Sequence, residues 1–303
     1  VELENKGMVL ALGFFDGVHR GHMRLIEKTL EIARDKNLDS GVMTFKEHPL
    51  ARIFPTYAPW LITTNDEKVA LIKAAGIQNV YLDDFSDELM QLSPEAFIRE
   101  YLLVKYPVKH IVVGFNYTFA FQGAGTTADL MELGKRYGFG VSVVPPFIIE
   151  ETAVSSTVIR ELISVGEVAA VPKFLGRHYS ISGIVVEGKK LGRTFNIPTA
   201  NLKMAEKRIL PSSGVYFTQV QVRGKIYDGL TNLGFNPTFE KHPYSIETYI
   251  YDFAGDIYGE PLALEFIEKQ RDEIKFAKIE DLIAQIKGDI IRIDEKYRKG
   301  KRS

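Results

Sequence analysis

The chain has 303 residues, with 38 basic and 39 acidic side chains, a net charge of −1 and no cysteine. That balance argues against the global attraction used by binders of nucleic acid or anionic membranes, and the missing thiols exclude disulfides, thiolate zinc sites and cysteine nucleophiles together. No apolar run approaches the roughly 20 residues that span a bilayer and no signal-peptide pattern opens the sequence, so a cytoplasmic chain of two domains is expected, without nucleic-acid or membrane partners.

Strand and helix signals alternate through the first half. The run "GMVLALGFF" (7–15) reads as a buried strand ended by Asp16-Gly17, and Leu25, Ile26, Leu30 and Ala33 then recur at helical spacing over 21–36. "SGVMTF" (40–45) is the next strand. A helix over 65–76 follows, with Asn65 expected as its N-cap, acids in its first turn and Gly76 at its end. "NVYLDDF" is a strand, and "SPEAFIREYLLVK" a helix capped by Ser93 with Pro94 at its first position. "KHIVVGFNY" and "GVSVVPP" are strands on either side of the helix "TTADLMELGKRYG". Repeated strand–helix units imply a parallel sheet with helices on both faces, a Rossmann-like α/β domain.

The rhythm changes near residue 175. After the helix "SSTVIRELISVG" and the short "EVAAVPKFLG", the segments "HYSISGIVVEG", "GVYFTQVQVRGKIYDGLTNLG", "SIETYIYDF" and "PLALEFIEKQR" read as strands, with a hairpin around Arg223-Gly224-Lys225. An amphipathic helix over 279–297 closes the pattern through Ile279, Leu282, Ile283, Ile286, Ile290 and Ile293. Two domains are expected, 1–174 and 175–303, the second antiparallel β with a terminal helix.

The most chemical stretch is "GFFDGVHRGH" (13–22), in which His19 and His22 stand three apart at a strand-to-helix junction. The pair has three readings: a metal, a phosphate or packing. Zinc asks for a third ligand, usually in a His-x-x-x-His or cysteine frame, and this chain has six histidines and no cysteine. Phosphate suits the position. A helix N-terminus attracts anions, and Gly13, Gly17 and Gly21 permit close backbone approach. Later, "SSTVIR" (155–160) offers Ser155, Ser156 and Thr157 as cap and hydroxyl donors, with Arg160 one turn on. By itself that is also an ordinary helix start.

His19-Arg20-Gly21-His22 resembles the H-x-G-H signature of nucleotidyltransferases, in which the histidines stabilise charge at the α-phosphate and pyrophosphate of ATP. Together "GFFDGVHRGH", "TFKEHP" (44–49), "VGFNYTF" (113–119) and "SSTVIR" resemble, in order, the adenylyltransferase blocks of bacterial bifunctional riboflavin kinase/FMN adenylyltransferases (FAD synthetases). The resemblance departs at two places: Glu47 stands where proline is usual, and Ala120 follows Phe119 where glycine is expected. It implies nucleotide contacts at Gly13, Phe14, Phe15, Asp16, Gly17, Ser155, Ser156 and Thr157, catalytic roles for His19, His22, Asn116 and Arg160, and a flavin contact at His48.

The second half resembles the riboflavin kinase of the same family. "GRTFNIPTAN" (192–201) carries the kinase signature, followed by "LPSSGVY", "NLGFNPTF", "SIETYIYDFAGDIYG" and "RDEIKF". The resemblance implies that Thr199 and Asn201 hold Mg²⁺ with ATP, that Gly188, Lys189, Gly192 and Arg193 meet the nucleotide, that Glu247 is the catalytic base and that Arg271 contacts the flavin. Oxygen ligands suit Mg²⁺, and a half-buried glutamate on an apolar strand suits proton transfer. Glu247 and Tyr249 should share one face, Ile246 and Thr248 the other. ATP, riboflavin and FMN are the expected partners, and a small antiparallel β-barrel the expected second fold. The rival readings are one active module beside a binding module, or a flavin sensor without turnover.

Overall fold

A computed structural model of the chain describes residues 6–188, 197–206, 208–235, 244–276 and 278–299. The chain divides into two compact units, Val1–Val158 and Ile159–Ser303.

In the first unit the apolar runs pair side by side into a five-stranded parallel sheet of order β3-β2-β1-β4-β5. Its strands are β1 (Met8–Leu12), β2 (Asp39–Phe45), β3 (Asn79–Asp83), β4 (Val108–Gly114) and β5 (Gly140–Val144). Every residue of β1 is buried, as the centre of a sheet covered on both faces requires. One face packs Val9, Ala11, Val42 and Val112 against Leu25, Ile26, Ile32 and Ala33 of helix α1 (Arg20–Asp35) and Ile72 of α2 (Asn65–Ala74). The other packs Leu10, Leu12, Ile111 and Val113 against Ile98, Leu102, Leu130 and Leu133, the last two on α3 (Thr127–Tyr137).

Two local expectations change. Thr64, not Asn65, caps α2, in a capping box with Glu67 whose two bonds measure 3.2 and 3.1 Å. The expected helix after Ser93 is interrupted by a π-helical stretch, Phe97–Leu102, between helical turns at Pro94–Ala96 and Leu103–Lys105. A two-stranded ribbon, β6 (Ile148–Ile149) with β7 (Thr152–Ala153), turns through Glu150 and Glu151 at positive φ. It leads into α4 (Ser156–Val165).

The second unit is a closed antiparallel barrel of order β10-β11-β12-β9-β8-β13. It contains β8 (Tyr179–Val186), β9 (Thr199–Lys203), β10 (Gly214–Val222), β11 (Lys225–Phe235), β12 (Tyr244–Ile250) and β13 (Pro261–Arg271). The expected hairpin is present, with Arg223 and Gly224 both at positive φ. Buried Thr218, Thr231 and Thr248 satisfy one another across three strands at 2.8 and 2.9 Å. Helix α5 (Ile279–Ile293) packs on the barrel through Ile290, Ile293 and the following Tyr297, whose ring stacks on Phe217 at 4.1 Å. Residues from Ile159 onward group with the barrel ahead of the expected boundary, because Gly166 lies tightly against Ser212, Tyr216 and Lys269.

Candidate active sites

The sheet order reverses direction at β1 and β4, and such a switch point opens a crevice at the carboxyl ends of the strands. Gly13 follows β1 there. The chain then turns sharply, with Phe15, Gly17 and Val18 at φ of 55°, 80° and 42°. Asp16, 2% exposed, secures the turn by accepting from the amides of Ile62 and Thr63 at 3.0 and 3.1 Å. The Gly17 amide donates to Thr63 Oγ1 at 3.0 Å. The Asp16 carboxylate and the Gly17 amide thus latch the turn, expected to meet the nucleotide, to residues 62–63. The Phe15 ring is fully buried and packs against His22.

His19 caps α1, its Nδ1 accepting from the His22 amide at 3.2 Å. A neutral imidazole that accepts at Nδ1 carries its proton on Nε2, which makes His19 a donor at that nitrogen. The two rings stack at 3.6 Å, 15° apart in plane. Gly21 permits this, since a Cβ there would meet the His19 ring at 3.1 Å. Burial holds the His22 pKa well below its ordinary value, and the Lys68 ammonium, like His19 whenever it is protonated, pushes it the same way. His22 is thus a neutral donor at physiological pH. Its Nδ1 is buried with no hydrogen-bond partner among the described residues. Among those residues no three His, Cys, Asp or Glu side chains gather to hold a metal ion.

The second phosphate element starts α4. Ser155 Oγ accepts from the Val158 amide at 3.3 Å, so Ser155 is the cap, and Thr157 is exposed. Ser156 Oγ donates to the carbonyl of Asp16 at 2.9 Å. That bond ties the start of α4 to the turn after β1. Arg160 lies two residues beyond the division between the units. Asn116 is exposed in the turn after β4, so it is not the buried structural asparagine that its place at a strand end also allowed. His48 Nδ1 accepts from the Leu50 amide at 3.2 Å and its ring meets Phe14 edge-on at 4.6 Å.

In the barrel, antiparallel register does the assembly. Asn201 lies opposite Glu247, and Thr199 opposite Tyr249. Residues two apart on a strand share a face, so Thr199, Asn201, Glu247 and Tyr249 form one patch. Ile246 and Thr248 alternate with Glu247 and Tyr249 and are buried, as expected. Gly188 approaches so closely that a Cβ would lie 2.2 Å from Asn201 Nδ2. Lys189, Gly192 and Arg193 lie outside the described residues. Arg271, expected at the flavin, bonds through its guanidinium to buried Asp289 at 2.7 Å, fastening β13 to α5.

Sequence reading missed two residues beside these sites. Asn232 on β11 lies opposite Glu247 on the side away from Asn201. Lys68 is buried beneath the carboxyl ends of β1 and β2. Its signal was a lysine four residues before buried Ile72, on the apolar face of α2.

A switch-point crevice with a capped histidine pair, and a barrel with an oxygen-bearing strand beside a glutamate, define a two-domain nucleotide-dependent transferase. Residues 1–158 match the FAD synthetase family and residues 175–297 the riboflavin kinase family. The bifunctional riboflavin kinase/FMN adenylyltransferase of Listeria monocytogenes is 36% identical over 93% of this chain and 90% of its own length. That of Bacillus subtilis is 36% identical over 95% and 92%. A solved structure described as a macrolide-efflux protein from Streptococcus pneumoniae matches with a TM-score of 0.86 at 32% identity, covering 98% of this chain and 96% of that one. The efflux name belongs to that protein; among the described residues here no helix is long and apolar enough to cross a membrane. The chain belongs to the bifunctional riboflavin kinase/FMN adenylyltransferase family. Its two halves carry the phosphorylation of riboflavin to FMN and the adenylylation of FMN to FAD.

Proposed function

We propose that the barrel patch and the crevice are the two active sites, with the functional boundary at 174/175. In the barrel, Glu247 takes the proton from the ribityl 5′-hydroxyl of riboflavin as that oxygen attacks the γ-phosphorus of ATP, giving FMN and ADP. The observation that carries this reading is the register that sets Asn201 opposite Glu247. The two halves use ATP and a divalent metal, and the donor set in the barrel favours Mg²⁺. A hydroxyl and an amide oxygen, without a carboxylate cage, leave room for phosphate oxygens and water around a small hard cation. Bound there, Mg²⁺ offsets the negative charge of the phosphates. Thr199 and Asn201 hold it, and Gly188 leaves room beside them. Lys189, Gly192 and Arg193 are assigned to the nucleotide on the family motif.

In the crevice a phosphate oxygen of FMN attacks the α-phosphorus of ATP and pyrophosphate leaves. His19 and His22 donate to the charge that builds there, from a rigid stacked pair that needs no rearrangement. Gly13, Phe14, Phe15, Asp16, Gly17, Ser155, Ser156, Thr157 and Asn116 are assigned to the nucleotide, His48 and, in the barrel, Arg271 to the flavin. Arg160, one turn along α4 from Ser156, is assigned to the pyrophosphate. A cytoplasmic location suits a chain that draws on ATP.

The test is one chromatographic assay with riboflavin, ATP and Mg²⁺. The wild type should form FMN and then FAD. His22→Ala should stop at FMN, with FAD formation reduced by two or more orders of magnitude (roughly 10²-fold per removed donor). Glu247→Ala should lose FMN formation and still convert supplied FMN to FAD. Loss of both activities in either folded variant would sink the two-site assignment.

A further inference from the structure

Buried lysines are rare, because an ammonium without partners loses its hydration. Lys68 on α2 is 2% exposed. Its Nζ lies 2.9 Å from the carbonyl oxygen of Phe45, 3.3 Å from Thr44 Oγ1 and 3.4 Å from the carbonyl oxygen of Phe14. Three acceptors match the three donors of an ammonium. Thr44 Oγ1 donates in turn to the Phe14 carbonyl at 2.8 Å, closing a small network across the ends of β1 and β2. The ammonium also stands 4.3 Å from the centroid of the Phe14 ring, the ring that meets His48. The contacts of Lys68 therefore join the end of β2 to the backbone that starts the turn to His19 and to the aromatic ring beside it.

We propose that Lys68 is a positioning residue for adenylyl transfer, bracing the ends of β1 and β2 so that the turn bearing His19 and His22 keeps its place against the Phe14–His48 pair. This rests on the reading of the crevice as the adenylyl-transfer site. Lys68 touches neither the reacting atoms nor the nucleotide; it acts through the carbonyls of Phe14 and Phe45.

The brace has a pH signature. Burial pulls the Lys68 pKa down to about 8, and Asp16 opposes that shift. The charged or titratable groups around it are Asp16 from the turn after β1 and His22 from α1, with His48 across the Phe14 ring. Above that pH the neutral amine has two donors for three acceptors, and the brace loosens. Stability runs the other way. The folded value lies below the ordinary 10.5, so the unfolded chain binds the proton more tightly and stability rises as pH climbs from about 8 to 10.5. A lysine that served stability alone gives no loss of rate in that window.

The experiment uses the full chain, its Lys68→Met and Lys68→Arg variants, and FMN with ATP as substrates. Lys68→Met should lower kcat for FAD formation about a hundredfold, the loss typical of a small displacement of catalytic groups, with riboflavin phosphorylation unchanged. The wild type should lose rate above about pH 8, while Lys68→Arg, charged throughout, should keep a flat alkaline limb and recover much of the rate. NMR titration of the His22 ring should show its pKa rising in Lys68→Met, because a repelling charge has gone. A wild type that makes FAD beside an equally fast Lys68→Met variant overturns the proposal alone, as does an alkaline limb identical in wild type and Lys68→Arg. A wild type that makes no FAD from FMN overturns the crevice reading and the proposal with it. The arginine variant and the pH profile decide the matter even where methionine unfolds the domain.

Discussion

Ala120 shows how one side chain can be legible as a departure and still need coordinates to be understood. The family resemblance expects glycine after Phe119, and the structure holds Ala120 at φ 68° and ψ −170°, a region essentially reserved for glycine. The loop keeps it there through the Phe119–Gly125 bridge and the Phe121 amide, which donates to the Leu92 carbonyl at 2.9 Å. Ala120→Gly should therefore stabilise the first unit by about 1 kcal/mol, the low end of such strain. Urea unfolding would read it as a higher midpoint at constant slope, and an unchanged or lower midpoint would show that the strain is absent. Glu47, the other departure, is exposed just after β2, and nothing in the structure explains it. The histidines were visible because a motif names them. Lys68 was not, because a lysine in a helix is ordinarily solvated and only packing reveals otherwise.

Among the elements, the periodic ones were read well and their ends less so. Asn65 looked like a cap because it opens the helical pattern, yet Thr64 takes the position, since its hydroxyl and the Glu67 carboxylate satisfy each other's backbone amides. Thr64→Ala should cost about 1 kcal/mol, seen as a lower denaturation midpoint, and more than Asn65→Ala, which loses only the exposed bond from Asn65 Nδ2 to the Lys46 carbonyl at 3.0 Å. If Asn65→Ala proved the more costly, the cap assignment would be wrong. The π-helical stretch after Ser93 was invisible because "FIREYL" holds no glycine or proline to mark a change of helix type. Helix α5 has apolar residues along its length, but Ile279 and Leu282 are exposed, and packing is concentrated at Ile290, Ile293 and Tyr297. Periodicity identifies a face, not the turns that meet a partner.

Across the whole chain, two sites on two folds make one sequential synthesis. The His22→Ala variant retains the kinase patch and Glu247→Ala retains the crevice, so a mixture of the two variants should convert riboflavin to FAD although neither does so alone. Chromatography of the mixture checks it. FMN accumulating without FAD would mean that one variant had lost more than the site it was designed to remove. The same independence explains why the sequence could be read in halves: each family match falls within its own architecture, 1–158 on the parallel sheet and 175–297 on the barrel.

Local chemistry and periodicity sufficed for the alternating strands and helices, the hairpin at Arg223-Gly224, the histidine pair at a helix start and the face shared by Glu247 and Tyr249, since each depends on residues close in sequence. Barrel closure, the pairing of Asn201 with Glu247, the latch from Asp16 to residues 62–63, the Arg271–Asp289 ion pair and the burial of Lys68 were decided only by tertiary structure. Each joins groups far apart in the chain. Which of many polar side chains meet is set by strand register and the exclusion of water, and neither exists until the chain has folded.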